Sequence, residues 1–323
     1  MTDLIADIGA TNARFALVGS GLGNVGPEAI RVLSVQSYRG LEDAMSGYLE
    51  AINVSPDAIE RAAICIAGPV LGDMIVMTNH PWSFSQRDIR DQFGLNDLTV
   101  INDFTAMALS LPRLKKADRR QIGSGEAAEH AHKAVLGPGT GLGVSGLIHH
   151  NRNRWLPLSG EGGHVTLAGM TEREAEVINN QRRHTGHVCG EDFLCGRGLV
   201  TLYQAISRTD GKTVTGKLIP ADVTNRALEG SDPVAVETVE MFCAFLGNVA
   251  GNLALTIGAT GGVYIAGGII PRLGEAFDRS AFRDRFENKG RFTDYLKPIP
   301  TYLVTHEFPA FLGLIAALSA TDN

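Results

Sequence analysis

The feature that most constrains the fold is a pattern that opens each half of the chain: an apolar strand, a turn rich in glycine and threonine, and a returning apolar strand. In the first half the turn is at residues 9–12, between strands at 4–7 and 14–18. In the second half the turn is at 137–143, with apolar strands on both sides. Two strands joined by a short glycine-containing turn form an antiparallel hairpin. The repetition predicts two lobes, each opened by a hairpin.

Strands and helices alternate after the first hairpin. Short apolar runs predict strands, and apolar residues spaced by three and four predict helices. This alternation is typical of a mixed sheet covered by helices on its faces, and 323 residues are enough for two domains. The expected fold class is therefore α/β, with a mixed sheet in each lobe. The predicted elements are strands at 30–38, 62–67 and 98–101, a short extra strand near Met74, and helices at 41–52, 85–93 and 104–111.

The second half contains a long helix and a third glycine turn. Apolar residues spaced by three and four predict a helix over residues 234–257. A predicted strand at 263–266 then runs into the pair Gly267 and Gly268. An apolar helix at 308–319 follows a basic stretch and ends the sequence.

Charge and cysteine usage limit the partners and the compartment. The net charge of −6 and the pI near 5.9 argue against a nucleic-acid or anionic membrane surface. The four cysteines have no disulfide-framework spacing, which indicates a reducing cytoplasm. The first nine residues contain no Lys or Arg, unlike a signal peptide, and the apolar run 308–321 is shorter than the ~18 residues of a membrane span. We expect a cytoplasmic protein with no nucleic-acid or membrane partner.

Asn102 and Asp103 stand where a predicted strand ends and a predicted helix begins. Open α/β sheets place their chemistry at such positions. Asp103 therefore has two interpretations, as the N-cap of the helix or as a functional carboxylate. Aspartate and asparagine lead the ranking of N-cap residues, so this segment alone favours the cap.

Three glycine-rich turns accompany apolar strands, at residues 9–12, 137–143 and 261–268. Glycine lets backbone amides approach a phosphate closely, and threonines in the first two turns add hydroxyl donors. Any one of these turns alone is better explained as a tight structural turn, because glycine is the usual turn residue. Asp7, just before the first turn, could hold Mg²⁺ through water, since Mg²⁺ keeps most of its hydration shell and takes one or two carboxylates.

The loop SGEGGH at residues 159–164 carries a carboxylate and an imidazole. Glu161 and His164 have the spacing of a di-iron ligand pair, but that role needs a helix and a second copy. Three glycines predict a pliable loop, which suits a ligand with hydroxyl groups better. Glu191 is a third candidate of the same kind, and it could equally be a solvated surface charge, because glutamate is mostly exposed.

A second set of residues has the side chains that zinc prefers. These are His184, His187, Cys189 and Cys195. Their spacing fits no common structural zinc site, and we therefore expect no structural zinc.

These motifs, in this order, resemble the bacterial glucokinase family, within the actin-like ATPase superfold shared with hexokinases. The resemblance runs nearly from end to end. LIADIGATNARFAL resembles the first phosphate motif, LGPGTGLGVSGLI the second, and GGVYIAGGI the adenosine motif. INDFTAMAL resembles the segment with the catalytic aspartate, and SGEGGH the sugar-binding loop. ICIAGPV and TNHPW resemble the connecting and sugar-binding segments.

The resemblance implies a two-lobed actin-like ATPase (ribonuclease H-like) fold and phosphorylation of glucose to glucose 6-phosphate by ATP. It implies that Asp103 is the general base and that Asp7 reaches Mg²⁺ through water. A homodimer is expected. The implied sugar ligands are Asn79, Asn102, Glu161, His164 and Glu191. The implied MgATP-binding residues are Asp7, Gly9, Ala10, Thr11, Asn12, Gly137, Gly139, Thr140, Gly141, Gly267 and Gly268.

The superfold also implies where the lobes begin and end. The small lobe would comprise residues 1–111 and 305–323, and the large lobe residues 112–304. The C-terminal helix would then return to the first lobe, where its apolar surface can be buried.

Two departures from the family pattern concern the edge of the sugar pocket. Arg197 stands where the family often has a small residue or proline. Residues 165–167 are Val-Thr-Leu, where an acidic residue commonly follows the sugar-loop histidine. The related ROK sugar kinases carry a CxCG-type zinc motif, which this sequence lacks.

Two other classes of function share this fold. A non-catalytic sugar sensor usually needs a DNA-binding segment, and the first phosphate motif, starting at residue 4, leaves no room for one. An actin-like filament protein would not require the hydroxyl-binding set of Glu161, His164 and Glu191. The sequence therefore favours the kinase over both.

Overall fold

The computed structural model describes residues 2–19, 26–77, 80–151 and 154–320. Contacts between residues divide the chain into two units. The first unit comprises Met1–Lys115, Pro157–Ser159 and His306–Asn323, and the second comprises Lys116–Leu156 and Gly160–Thr305.

A mixed sheet with helices on its faces forms the first unit. Its elements are β1 (Thr2–Ile8), β2 (Asn12–Gly19), β3 (Glu28–Ser34), α1 (Leu41–Ala51), β4 (Ile59–Ile66), β5 (Met74–Val76), β6 (Ser83–Ser85), α2 (Gln86–Gln92), β7 (Asp97–Asn102) and α3 (Asp103–Ser110). The strand order of the sheet is β3-β2-β1-β4-β7, and β5 pairs separately with β6. β1 and β2 form the predicted antiparallel hairpin, and β1, β4 and β7 run parallel.

The central strand β1 is apolar on both sides because both faces of the sheet are covered. Successive side chains of a strand point to opposite faces. Leu4, Ala6 and Ile8 belong to one buried cluster, and Ile5 belongs to another. A strand that is buried on both faces has a nearly continuous apolar sequence rather than alternating apolar and polar residues. The sequence of β1 fits this pattern.

The third strand is shorter than the sequence predicts. β3 ends at Ser34, and a 3-10 turn occupies Val35–Ser37, within the predicted strand 30–38. Val35 is fully buried, and its amide donates to Thr11 O at 3.0 Å. The chain therefore leaves the sheet to support the first glycine turn.

The second sheet has more strands than the first, and most of the remaining helices lie in the same part of the chain. Its strands are β8 (Arg119–Ile122), β9 (Lys133–Pro138), β10 (Leu142–Asn151), β11 (Arg154–Leu158), β12 (Val263–Ile265) and β13 (Thr301–Val304). The helices of this part of the chain are α4 (Glu172–Thr185), α5 (Gly190–Phe193), α6 (Gly196–Thr209), α7 (Pro220–Glu229), α8 (Pro233–Ile257), α9 (Ile270–Leu273), α10 (Glu275–Asp278), α11 (Phe282–Glu287) and α12 (Thr293–Leu296).

The second sheet repeats the topology of the first. Its strand order is β11-β10-β9-β12-β13-β8. β9 and β10 form an antiparallel hairpin, and β12 lies parallel to β9 on one side and to β13 on the other. In the first sheet, β1 has the same arrangement with β2, β4 and β7. The second sheet has a further strand, β8, which lies antiparallel to β13 at the edge. The prediction of a mixed sheet in each half of the chain is confirmed.

Helix α8 is long and apolar enough to cross a membrane by length and composition alone. In the structure, 78% of its most apolar window is buried inside the protein. Phe242 and Leu246 on this helix are fully buried in the large apolar cluster of the second unit. α8 is therefore the core helix of this unit.

The C-terminal helix α13 (Pro309–Ala320) packs within the first unit, as predicted. It contacts α3, β1 and β4. Phe311 and Leu314 are fully buried in the cluster on that face of the sheet. A Cβ atom on Gly313 would overlap the carbonyl oxygen of Ala106 in α3, so the two helices meet backbone to backbone.

Candidate active site

Three parallel strands of the first unit end at the same edge of its sheet. In the register of the sheet, Asp7 lies opposite Cys65, and Ile66 lies opposite Asn102. The carboxyl ends of β1, β4 and β7 therefore place Asp7, Cys65 and the Asn102–Asp103 pair along one edge. Open α/β sheets bind their ligands at this edge.

Asp7 is a half-buried carboxylate with two partners. Its Oδ2 accepts from Arg14 Nη1 at 3.0 Å, and its Oδ1 accepts from Cys65 Sγ at 3.6 Å. Burial raises the pKa of Asp7 above its ordinary value, and Arg14 and Cys65 oppose that rise. Burial also raises the pKa of the Cys65 thiol well above its usual range, and the carboxylates of Asp7 and Asp103 raise it further. The thiol therefore stays protonated and donates to the Asp7 carboxylate.

The first glycine turn is closed by its own backbone. Gly9 N donates to Asn12 O at 3.0 Å. Ala10 and Asn12 are partly buried, whereas Thr11 is exposed. The Gly9 amide is thus used within the turn, and Thr11 presents a side-chain hydroxyl at its tip.

Asn102, and not Asp103, is the N-cap of α3. Asn102 Oδ1 accepts from Phe104 N at 2.9 Å and from Thr105 N at 3.2 Å. Asn102 Nδ2 donates to Gly68 O at 3.1 Å. Asp103 is the first residue of the helix, and its Oδ1 also accepts from Phe104 N, at 2.9 Å. The interpretation of Asp103 as the cap is therefore wrong, because its neighbour already fills that role.

In the second unit, the second glycine turn is shorter than predicted. β9 and β10 remain paired as far as Pro138 and Leu142, so the turn consists of residues 139–141. Gly137 pairs with Gly143 inside the hairpin. The interpretation of Gly137 as a turn residue is wrong, because the hairpin continues beyond it.

The third glycine turn and the start of α6 pack against the second turn. Gly139 O accepts from Gly196 N at 2.8 Å. Gly267 has a φ of +89°, which favours glycine, and a Cβ atom there would overlap Pro138 O. A Cβ atom on Gly268 would meet nothing within 4 Å. Two of the three predicted phosphate turns are therefore neighbours within the second unit.

The loop with Glu161 and His164 is pressed against the first residue of β10. A single 3-10 turn forms it, with His164 N donating to Glu161 O at 3.0 Å. A Cβ atom on Gly163 would overlap Leu142 O, so glycine permits this approach. His164 Nδ1 lies 3.8 Å from Cys189 Sγ. The side chains of Glu161 and His164 are both exposed.

Glu191 is not a solvated surface charge, and that alternative is wrong. Only 14% of its side chain is exposed. Its Oε2 accepts from Leu142 N at 2.8 Å, and its Oε1 accepts from Arg197 Nη2 at 2.5 Å. A Cβ atom on Gly141 would overlap Glu191 Oε2. The carboxylate therefore covers the second glycine turn.

Two residues that sequence reasoning did not single out belong to the first-unit cluster. Arg14 faces Asp7 across the hairpin, and Cys65 faces it from the neighbouring parallel strand. The only sequence signal for them is the register of the sheet, which depends on strands that are far apart in the chain. Asn79, a predicted sugar ligand, lies outside the described residues.

Two of the candidate zinc ligands, His187 and Cys195, contact groups that do not bind metal. All four cysteines are buried and free. Within the part of the chain that the structure describes, no group of three or more His, Cys, Asp or Glu side chains is placed to hold a metal ion. His187 Nε2 is 2.9 Å from Thr166 Oγ1, and Cys195 Sγ accepts from Gly198 N at 3.3 Å.

We predict that protein purified without added metal contains far less than one zinc ion per chain, because the candidate ligands lack zinc-site spacing. Elemental analysis of the purified protein measures this directly. A preparation loaded with zinc and then dialysed serves as the control for loosely bound metal. One equivalent of zinc that is lost together with activity on chelation would contradict the prediction.

The two sheets, each with a hairpin beside parallel strands and with glycine turns at the strand ends, define the sugar-kinase form of the actin-like ATPase fold. The crystal structure of a glucokinase from an Antarctic psychrotroph has this fold. The two chains are 35% identical, superpose with a TM-score of 0.88, and are each covered to 99%. The chain belongs to the glucokinase family, because the family model described as Glucokinase matches residues 4–321.

Curated relatives support the same family and differ in length. The protein named Glucokinase of Nitrobacter hamburgensis is 49% identical over 313 residues, which are 96% of this chain and 95% of that protein. The Bifunctional protein glk of Burkholderia thailandensis is 49% identical over 316 residues, which are 98% of this chain but 48% of that protein. The chain thus spans about half the length of the bifunctional relatives.

Proposed function

We propose that this protein is a glucokinase, which transfers a phosphoryl group from ATP to the 6-hydroxyl of glucose and yields glucose 6-phosphate, the first step of glycolysis. Its family and the names of its curated relatives support this proposal.

The observation that carries the proposal is that Glu191 and the loop of Glu161 and His164 both contact Leu142 in the second unit. The amide of Leu142 binds Glu191, and its carbonyl oxygen contacts Gly163 in the loop of Glu161 and His164. Leu142 itself directly follows the second glycine turn. Three polar side chains suited to hydroxyl groups are therefore gathered beside a turn suited to phosphate, which is what a sugar kinase requires.

We assign the binding of sugar hydroxyls to Glu161, His164, Glu191 and Asn102, together with Asn79. Each carboxylate oxygen has two lone-pair positions, so Glu191 keeps capacity for hydroxyls beside its bonds to Leu142 N and Arg197. Asn102 Nδ2 has two hydrogens, and Gly68 O takes one of them. The other hydrogen of Asn102 Nδ2 is suited to donation to a sugar oxygen.

We assign proton removal from the attacking hydroxyl to Asp103. Phosphoryl transfer depends mainly on positioning and on charge stabilisation, and it needs little covalent help. The sugar hydroxyl must nevertheless lose a proton, and a positioned carboxylate base contributes typically ~10²–10⁴ in rate. Asn102 fixes the first turn of α3 and thereby the backbone from which the Asp103 carboxylate extends.

We assign the nucleotide to the glycine turns and to strand residues beside them. Because the Gly9 amide is bonded within its own turn, as is that of Gly139, glycine serves there mainly to keep bulk away from the phosphates. The hydroxyls of the two threonines are the side-chain donors. The assigned residues are Asp7, Gly9, Ala10, Thr11, Asn12, Gly137, Gly139, Thr140, Gly141, Gly267 and Gly268.

Asp7 is the residue that would hold Mg²⁺, through water. Its carboxylate supplies the oxygen ligands that Mg²⁺ prefers, and one or two carboxylates with phosphate oxygens are a typical Mg²⁺ environment. The bound ion would neutralise charge on the phosphates during transfer. Arg14, paired with Asp7 at 3.0 Å, orients the carboxylate.

We further propose that the two contact-defined units correspond to the two lobes expected at 1–111 with 305–323 and at 112–304. The unit boundaries at Lys115 and His306 lie close to these limits and support the assignment. We also propose a cytoplasmic homodimer that binds neither nucleic acid nor membrane. The net charge of −6 supports the lack of binding to nucleic acid and to anionic membranes.

A coupled assay of ADP release across glucose, mannose and fructose tests the proposed function. We expect ADP release that requires ATP, Mg²⁺ and sugar, with the highest kcat/KM for glucose. An Asp103→Asn variant purified in parallel controls for kinases from the expression host. Glucose binding without ADP release would indicate a sugar sensor instead, and a protein that neither binds nor phosphorylates glucose would refute the proposal.

A further inference from the structure

Arg197 is a departure from the family pattern whose side chain contacts an assigned sugar ligand. It is in the first turn of α6, directly after Gly196, whose amide donates to Gly139 O at 2.8 Å. Its guanidinium donates to Glu191 Oε1 at 2.5 Å. An arginine in the place of a small residue therefore contacts a proposed sugar ligand directly.

The guanidinium of Arg197 reaches Glu191 Oε1 from the first turn of α6. Arg197 lies two positions after Cys195, the N-cap residue of the helix. Cys195 is fully buried, and its Sγ accepts from Gly198 N at 3.3 Å. A planar guanidinium is pre-organised and loses less freedom per hydrogen bond than a lysine ammonium would, so arginine is suited to hold a carboxylate in place.

The two oxygens of Glu191 are anchored separately. Oε2 is held by Leu142 N, which is part of the β9–β10 hairpin, and Oε1 is held by Arg197. With Leu142 N alone, the carboxylate could rotate about its last torsion, which has a broad energy minimum in glutamate. The second anchor fixes the plane of the carboxylate.

We propose that Arg197 is a positioning residue, which holds the Glu191 carboxylate in the plane in which it accepts hydroxyl groups of the sugar, and so lowers the KM for glucose. The inference rests on the proposed function. Arg197 is 66% exposed, and ion pairs at such sites add little to folding stability. The Arg197–Glu191 ion pair therefore contributes to sugar binding rather than to the stability of the fold.

The test compares Arg197→Ala with wild-type protein in steady-state kinetics and in calorimetric titration with glucose in the absence of nucleotide. We expect the KM and the dissociation constant for glucose to rise about 5-fold to 20-fold, as for loss of one charge-assisted hydrogen bond. We expect kcat within about twofold and an unchanged melting temperature, because Arg197 is mostly exposed and Glu191 keeps its bond from Leu142 N. Arg197→Lys should restore part of the affinity, since lysine keeps the charge without the planar fork.

A double-variant cycle with Glu191→Gln separates positioning from a general effect of charge. If Arg197 acts through Glu191, adding Arg197→Ala to Glu191→Gln should raise the KM by less than about twofold more. Arg279→Ala is the matched control, because it removes an exposed arginine–glutamate pair of 3.0 Å, with Glu275. It should leave the KM for glucose unchanged.

Two results would overturn the inference while leaving the proposed function intact. One is an Arg197→Ala protein whose KM for glucose stays within about twofold of wild type, well below the effect of a lost charge-assisted hydrogen bond. The other is a double variant in which the two single effects multiply, because independent residues behave in this way. A wild-type protein that neither binds nor phosphorylates glucose would overturn both the proposed function and the role of Arg197.

Discussion

Replacing Asp103 by asparagine should lower the turnover number for glucose phosphorylation by about 10²-fold or more. Asparagine keeps the shape of the side chain and can still accept from Phe104 N, as Asp103 Oδ1 does at 2.9 Å. It cannot take up the proton of the sugar hydroxyl. Because Asn102 caps α3, the helix keeps its cap and the melting temperature should barely change. Coupled ADP release measures turnover, and calorimetry measures glucose binding, which should weaken far less.

Asp88→Asn is the matched control for the Asp103 variant. It makes the same change in the first turn of α2, where Asp88 is exposed. Its turnover should equal that of the wild type. An Asp103→Asn protein that retains more than about a tenth of wild-type turnover would require the general-base assignment to be given up. The capping role could not then be invoked, since Asn102 fills it.

The neighbouring residues Asn102 and Asp103 show what a local pattern can and cannot resolve. The apolar run at 98–101 and the helical spacing after it correctly predict a strand followed by a helix, now β7 and α3. Both residue types are favoured caps, so local preference could not choose between them. The choice depends on where β7 ends, and its last pairing, Asn102 with Ile66 of β4, comes from a strand far away in the sequence.

Strand β8, which sequence reasoning missed, owes its existence to a distant partner. β8 has the sequence RRQI, and only Ile122 in it is buried. It is a strand because it pairs with β13, where Thr301 Oγ1 donates to Ile122 O across 179 residues. A strand that is so short and so charged has no alternation of apolar and polar residues from which it could be predicted.

The sequence predicts which residues form the candidate site, but it does not predict which groups those residues contact. Glutamate is usually exposed, so composition made a solvated surface charge as plausible for Glu191 as a ligand role. Its burial comes from Leu142 N, 49 residues earlier in the chain, and from Arg197. Asp7 was singled out because it precedes a glycine turn, whereas its partners Arg14 and Cys65 required the sheet register.

Replacing Gly313 by valine should destabilise the protein by about 3 kcal/mol, the upper part of the usual range for overpacking a core. Even a single Cβ atom at this position would overlap the carbonyl oxygen of Ala106, which is backbone and cannot rotate away. The helices α3 and α13 would have to separate and so expose the buried Phe311 and Leu314. Thermal and urea denaturation measure the loss.

The same substitution should also reduce activity, because Ala106 lies in α3 only one turn beyond Asp103. A shift of this helix moves the carboxylate, and misplacement of about 1 Å can cost on the order of 10²-fold in rate. Ser319→Val is the matched control, since it puts the same side chain on an exposed position of α13. It should change stability by less than about 0.5 kcal/mol, as surface substitutions usually do. Equal stability of the Gly313→Val and Ser319→Val proteins would show that α13 does not pack against α3 at backbone distance.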